Sequence, residues 1–174
     1  MESKVKLLGH PVHPMLIVLP LGLFITAVVF DALYLWRGNA TLAAVAYWNI
    51  GAGIAGGLLA AVFGLVDWLA IPSGTRAKRI GLLHGGTNVV VIVLFTLACL
   101  ARTSAAGYLP TTTIFLVEMG ALLLGSLAGW LGGELVNRLG VGVDDGAHLD
   151  APSSLSGNPA RPRATAPTPH RRAS

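Results

Sequence analysis

Residues 15–36 read MLIVLPLGLFITAVVFDALYLW, a run whose only charged side chain is Asp31. A membrane helix needs about 20 mainly apolar residues, so this stretch alone is long enough to cross a bilayer. Three later stretches meet the same requirement, and spans are expected at Met15–Trp36, Trp48–Ile71, Ile80–Ala101 and Thr113–Val136. The links between them are short: Arg37-Gly38-Asn39 starts the first, Pro72-Ser73-Gly74-Thr75 opens the second, and Ser104 to Pro110 with Gly107 forms the third. Short links make consecutive helices antiparallel neighbours, so the expected fold is all-α, an up-down four-helix bundle integral to the membrane. Pro20 lies inside the first span and is expected to free the Leu16 carbonyl and kink the helix.

Composition agrees with the spans. The 174 residues are 53% hydrophobic and 11% charged, where a soluble domain carries roughly a quarter charged residues. Mean hydropathy is +0.68. The net charge of +4 is therefore read as topology and attraction to anionic membrane lipids, not as nucleic-acid binding. Cys99 is the only cysteine, which excludes an intrachain disulfide. The first apolar run is too long for a signal-peptide core and is read as a retained span.

From Gly140 the composition turns to Pro, Ala, Ser and Arg, with acidic Asp144, Asp145 and Asp150. Two units are expected: a membrane domain over 1–139, and a tail over 140–174 that lacks the apolar residues needed to offset its conformational entropy and is expected to be disordered. Arg161, Arg163, Arg171 and Arg172 belong to that solvated tail, within reach of anionic lipid heads. Lys4, Lys6, Arg76, Lys78, Arg79 and Arg138 flank the spans on one side, against Arg37 and Arg102 on the other. Basic residues favour the cytoplasmic side, so both termini are expected there, in an inner membrane. Rows of small residues, Gly53, Gly57 and Ala61 in the second span and Gly125, Gly129 and Gly133 in the fourth, are the expected close-contact lines between helices.

Immediately before the first span stands Gly9-His10-Pro11-Val12-His13-Pro14. Two prolines restrain the backbone that carries both imidazoles. Counting residues along each span puts Asp67, His84 and Glu134 at the same depth as His10 and His13, with Asn88 one turn from His84 and Thr87 nearby. Ionisable groups in membrane segments are costly, so five in one layer mark a candidate site. A sparser outer layer holds Asp31, Glu118, Tyr47, Trp48 and Asn49; Asp31 is expected to have a structural role, paired with Arg37 or Arg102 or bonded to a neighbouring helix.

Three chemistries suit the inner layer. A haem b could take His13 and His84 as axial ligands, with Gly81, Gly85 and Gly86 leaving room for the macrocycle and Arg76, Lys78 and Arg79 meeting its propionates. A bare transition-metal ion could take His10, His13 and His84 with Asp67 or Glu134. A small proton-coupled transporter or channel could titrate Asp67 and His84 along a polar path, although no inverted repeat is evident. The structural alternative has no cofactor, and His84 then bonds Asp67 to hold spans two and three together.

The Gly-His-Pro-x-His-Pro motif at Gly9–Pro14, then Asp31, then Gly64-Leu65-Val66-Asp67-Trp68, then His84 with Asn88, resembles a family of small bacterial four-span membrane proteins of unknown function. The resemblance runs from Lys6 to about Arg138 and implies the four-span architecture. Some members of that family are joined to Rieske-type iron–sulfur domains, which implies redox partners. One cysteine cannot build a Rieske ligand set, so such a role here would require a separate redox partner protein. The expectation is a protein that is not an enzyme. It binds haem or a metal in support of electron transfer, with His13 and His84 as ligands, Asp67 orienting an imidazole and His10 as spare ligand or gate.

Overall fold

The computed structural model describes residues 1–160. Four helices long and apolar enough to cross a membrane dominate it: Val12–Arg37, Ala40–Ala70, Arg76–Arg102 and Thr112–Asn137. The first is broken near its start into α1 (Val12–Leu16) and α2 (Val18–Arg37); the others are α3, α4 and α5. The break falls where Pro20, lacking an N–H, leaves the Leu16 carbonyl without its helical donor.

Local chemistry sets the helix ends. Gly38 closes α2 in the left-handed region at φ 70°, its N–H bonded to the Tyr34 carbonyl, and the Asn39 side chain then accepts from the Thr41 N–H to cap α3. The helix therefore begins at Ala40, eight residues before the expected start at Trp48. Hydropathy marks the lipid-embedded part of a helix, whereas its hydrogen bonding runs back to the cap. Thr75 and Thr111 cap α4 and α5 by accepting from the Lys78 and Ile114 amides.

α2 packs on α3, α4 on α5, α3 on α4 and α2 on α5, so the four helices close into a ring. Its core is thin: Phe24, Ala27, Val28, Ala46, Ile50, Val91, Phe95 and Ala121. Leu58, Leu65, Val89 and Leu123 point outward and are exposed. Such a surface would aggregate in water and is ordinary against acyl chains.

Ahead of the first span, β1 (Lys6–Leu7) pairs antiparallel with β2 (His10–Pro11), with Leu7 opposite His10. Leu8 and Gly9 between them both have positive φ, the geometry of a two-residue type I′ hairpin turn. Disorder is expected from Gly140, but residues just beyond it are tied to the N-terminal segment. The Met1 amine donates to the Gly140 carbonyl, the Gly142 N–H to the Met1 carbonyl, and Lys6 pairs with both Glu2 and Asp144. The four tail arginines expected near lipid heads lie outside the described residues.

Candidate functional site

His13 stands at the start of α1, and its ring lies against Gly64 of α3. A Cβ on that glycine would sit 2.8–2.9 Å from ring atoms, so only glycine admits the imidazole there. The ring bonds the Ala60 carbonyl through Nδ1 at 2.8 Å, one helical turn before Gly64 on the same face. His84 on α4 repeats the arrangement on α5. Its Nδ1 bonds the Ala128 carbonyl at 2.8 Å, and its ring lies 3.2 Å from where a Cβ of Gly132 would be. A carbonyl oxygen only accepts, so each Nδ1 carries a proton and, in the neutral ring, each Nε2 keeps its lone pair. Asn88 supports this at His84: its amide nitrogen donates to the His84 carbonyl at 2.9 Å and lies 3.4 Å from Nε2. The two ring centroids are 6.3 Å apart with planes at 88°.

The other members of the expected layer have partners of their own away from the two rings. Asp67 accepts from the Ser3 hydroxyl at 2.9 and 2.8 Å and from the Lys4 N–H at 2.7 Å, which ties the N-terminus to the end of α3. The expected His84–Asp67 bond is replaced by His84–Ala128, because His84 is turned toward α5. Glu134 pairs with Arg76 at 2.6 Å. His10 is exposed on the hairpin and has Ser154 Oγ 3.3 Å from its Nε2. Among the described residues no group of three or more His, Cys, Asp or Glu is placed to hold a metal ion.

The glycines also sort differently from expectation. Gly81 is filled by Trp68, while Gly85 and Gly86 have open space outside them, and an open groove of about 310 Å³ lined by Gly86, Leu82, Val90 and Leu124 does not include His84. Lys78, expected near a propionate, instead caps α3 through the Trp68 carbonyl at 2.7 Å and lies 4.0 Å over the Trp68 ring. In α5 the row Gly125, Gly129 and Gly133 makes no close approach. The seat is Gly132, one residue away from that row, because the azimuth of the interface was not set by the four-residue spacing. In α3, Gly53 meets Phe24 and Gly57 meets Ile92, whereas Ala61 is exposed.

At the opposite end lies a second polar centre. Arg102, fully buried, donates through Nη1 and Nη2 to the two Asp31 oxygens at 2.6 and 3.0 Å, to Glu118 at 3.1 Å, to the Ala43 carbonyl at 2.9 Å, and through Nε to the Tyr108 carbonyl at 2.8 Å. All five guanidinium N–H groups are thereby used. Sequence reasoning left the Asp31 partner open between Arg37 and Arg102, and missed that Glu118 joins them; Arg37 instead stacks over Trp36. The missed signal was three charges at one depth on three different spans.

Four apolar helices in a ring, with paired histidines toward the end that carries the N-terminal hairpin and a buried ion cluster toward the other, define a multi-pass membrane protein. The chain belongs to the family described as Predicted membrane protein (DUF2231), whose profile matches residues 9–145. No curated protein matches the chain, and no solved structure does.

Proposed function

We propose that this is an inner-membrane protein with cytoplasmic termini that holds one metal centre between His13 and His84 and supports electron transfer to or from a separate protein. The observation that carries the reading is the matched pair of Nδ1 bonds. Metal-ligating histidines almost always give their other ring N–H to a carbonyl or carboxylate, which fixes the tautomer and aims the free nitrogen. The two ring centroids are 6.3 Å apart, a separation at which both imidazoles could reach one ion once the Asn88 amide turns away from the His84 Nε2. A bare ion suits the surroundings better than haem b, because both rings sit directly on helix backbone at Gly64 and Gly132. The orientation rests on the basic residues: with Arg102 neutralised inside the bundle, Arg37 is left as the flanking cation at the far end. A proton path is disfavoured by the Phe24–Phe95 stack, which fills the axis between the two polar layers.

A second reading rests on the same bonds: the histidines are clamps between helices and bind nothing. Replacing histidine by asparagine separates the two, since the amide can still donate to the carbonyl but offers no ligand in place of Nε2. Protein purified after expression with supplied iron and haem precursor, or with copper, is expected to carry one metal per chain; a site that takes only redox-inert zinc would overturn the electron-transfer role. His13→Asn and His84→Asn should each lose the metal while remaining folded. A Soret band would assign the metal to haem. Protein free of metal under every supply, or both variants retaining a full equivalent, would overturn the ligand reading.

A further inference from the structure

Three contacts between α1–α2 and α4 join residues at one interval. His13 faces His84, Phe24 stacks on Phe95 at 4.0 Å with planes 2° apart, and Asp31 pairs with Arg102; each pair is 71 residues apart. The partner helices correspond as well. His13 bonds Ala60 and lies on Gly64; His84 bonds Ala128 and lies on Gly132. Around these seats, residues 57–64 read GLLAAVFG and residues 125–132 read GSLAGWLG, with Gly, Leu, Ala and Gly at matching places. The sequence separation from histidine to acceptor is 47 in the first half and 44 in the second, so the halves differ by three residues in their connections. Equivalent positions share burial: Ala27 with Ala98, and Ile50 with Glu118.

We propose that α1–α2–α3 and α4–α5 are two copies of one helical hairpin, related by a pseudo-two-fold axis along the membrane normal, and that the inner face of each is the docking surface for the other. Two-fold repeats of this parallel kind are a recognised way of building a membrane site at a repeat interface. The repeat is parallel and not inverted, because α2 and α4 run in the same direction. The axial layers also explain why the unlike halves of one chain pair with each other. The histidine and phenylalanine layers would accept two identical halves from different chains equally well. The third layer would not, because like halves would set Asp31 against Asp31 and Arg102 against Arg102 in a fully buried place. The charge pair thus selects pairing within one chain.

The test uses the full chain and needs no bound metal, so it is independent of the metal-site reading. Asp31→Arg with Arg102→Asp reverses the pair but removes the guanidinium that Glu118 and the Ala43 and Tyr108 carbonyls bond, and the yield of folded monomer in detergent should collapse. Adding Ile50→Glu and Glu118→Ile moves all three charged side chains to their equivalent positions and should recover most of that yield. A quadruple variant as poorly folded as the double reversal would overturn the repeat. A second measurement places a single cysteine on the axis by Phe24→Cys with Cys99→Ala. It should cross-link no dimers in this background, but should do so once Asp31→Asn, Arg102→Gln and Glu118→Gln are added. Dimers in both backgrounds, or in neither, would overturn the selecting role of the charge pair.

Discussion

Arg102 grips both carboxylate oxygens of Asp31, at 2.6 and 3.0 Å, and neither side chain has any solvent exposure. The pair joins the ends of α2 and α4 across the bundle axis. Because the guanidinium also bonds Glu118 and the Ala43 and Tyr108 carbonyls, four segments of chain converge on one side chain.

Arg102→Met should therefore be among the most damaging single changes. It leaves two carboxylates buried without a counter-charge, and breaking a buried pair by removing one partner costs about 3–5 kcal/mol. Arg102→Lys keeps the charge but brings three donors to five acceptors, so an intermediate loss is expected. Thermal unfolding in detergent checks the order; a wild-type transition for Arg102→Met would refute the role of the cluster.

Glu118 and Asp31 should respond differently to neutralisation. Asp31 takes the two-point contact, whereas Glu118 gives one oxygen to Arg102 and its Oε2 has no partner. One guanidinium balances one carboxylate. Glu118→Gln keeps an acceptor for Arg102 and removes the excess charge, so stability should be unchanged or higher. Asp31→Asn should lose about 3 kcal/mol by the same unfolding measurement.

The histidine seats predict a ranking among glycines. Gly64→Ala drives a methyl into the His13 ring at 2.8–2.9 Å and should cost about 1–3 kcal/mol by overpacking. Gly132→Ala, at 3.2 Å from His84, should cost less. Gly129→Ala has open space and should be neutral or gain up to about 1 kcal/mol from helix propensity. A Gly129→Ala protein less stable than Gly64→Ala would show that the rings do not sit where described.

The N-terminal segment should release at the extremes of pH. Its bond to Lys6, and then the Asp145 amide, hold the Glu2 carboxyl below its usual value, while Asp144 and Glu2 hold the Lys6 ammonium above its own. A lowered acid contributes stability above its unfolded pKa, ~4.3, and loses it as pH falls through the lower folded value. A raised base contributes below ~10.4 and loses it as pH rises through the higher folded value. Protection of the Asp145 amide from hydrogen exchange should thus be greatest between those limits, fall on acidification, and weaken with salt because the groups are exposed. In Glu2→Gln the acid-side loss of protection should disappear.

The four spans were legible because membrane crossing depends on apolar length, which is read locally. The turn at Gly38-Asn39 and the break before Pro20 were legible for the same reason: each follows from one or two residues. Depth along each span was readable too, since rise per residue is constant, and it is what grouped His13, His84, Asp67 and Glu134.

What depth could not supply was azimuth. The direction in which a side chain leaves its helix relative to the neighbours is set by how the helices rotate and tilt as they pack. Packing turned His84 toward Ala128 and away from Asp67, and seated it on Gly132 beside the row that spacing favoured. It also chose Arg102 over Arg37 for Asp31. The two-fold relation stayed hidden because matching residues are sparse along α2 and α4, and only contacts across the axis reveal the interval at which to compare them. Sequence alone determined that this chain makes four membrane helices and where along them its charges lie. Tertiary structure decided which of those charges and rings meet, because meeting depends on the rotation of whole helices, a quantity that no local stretch encodes.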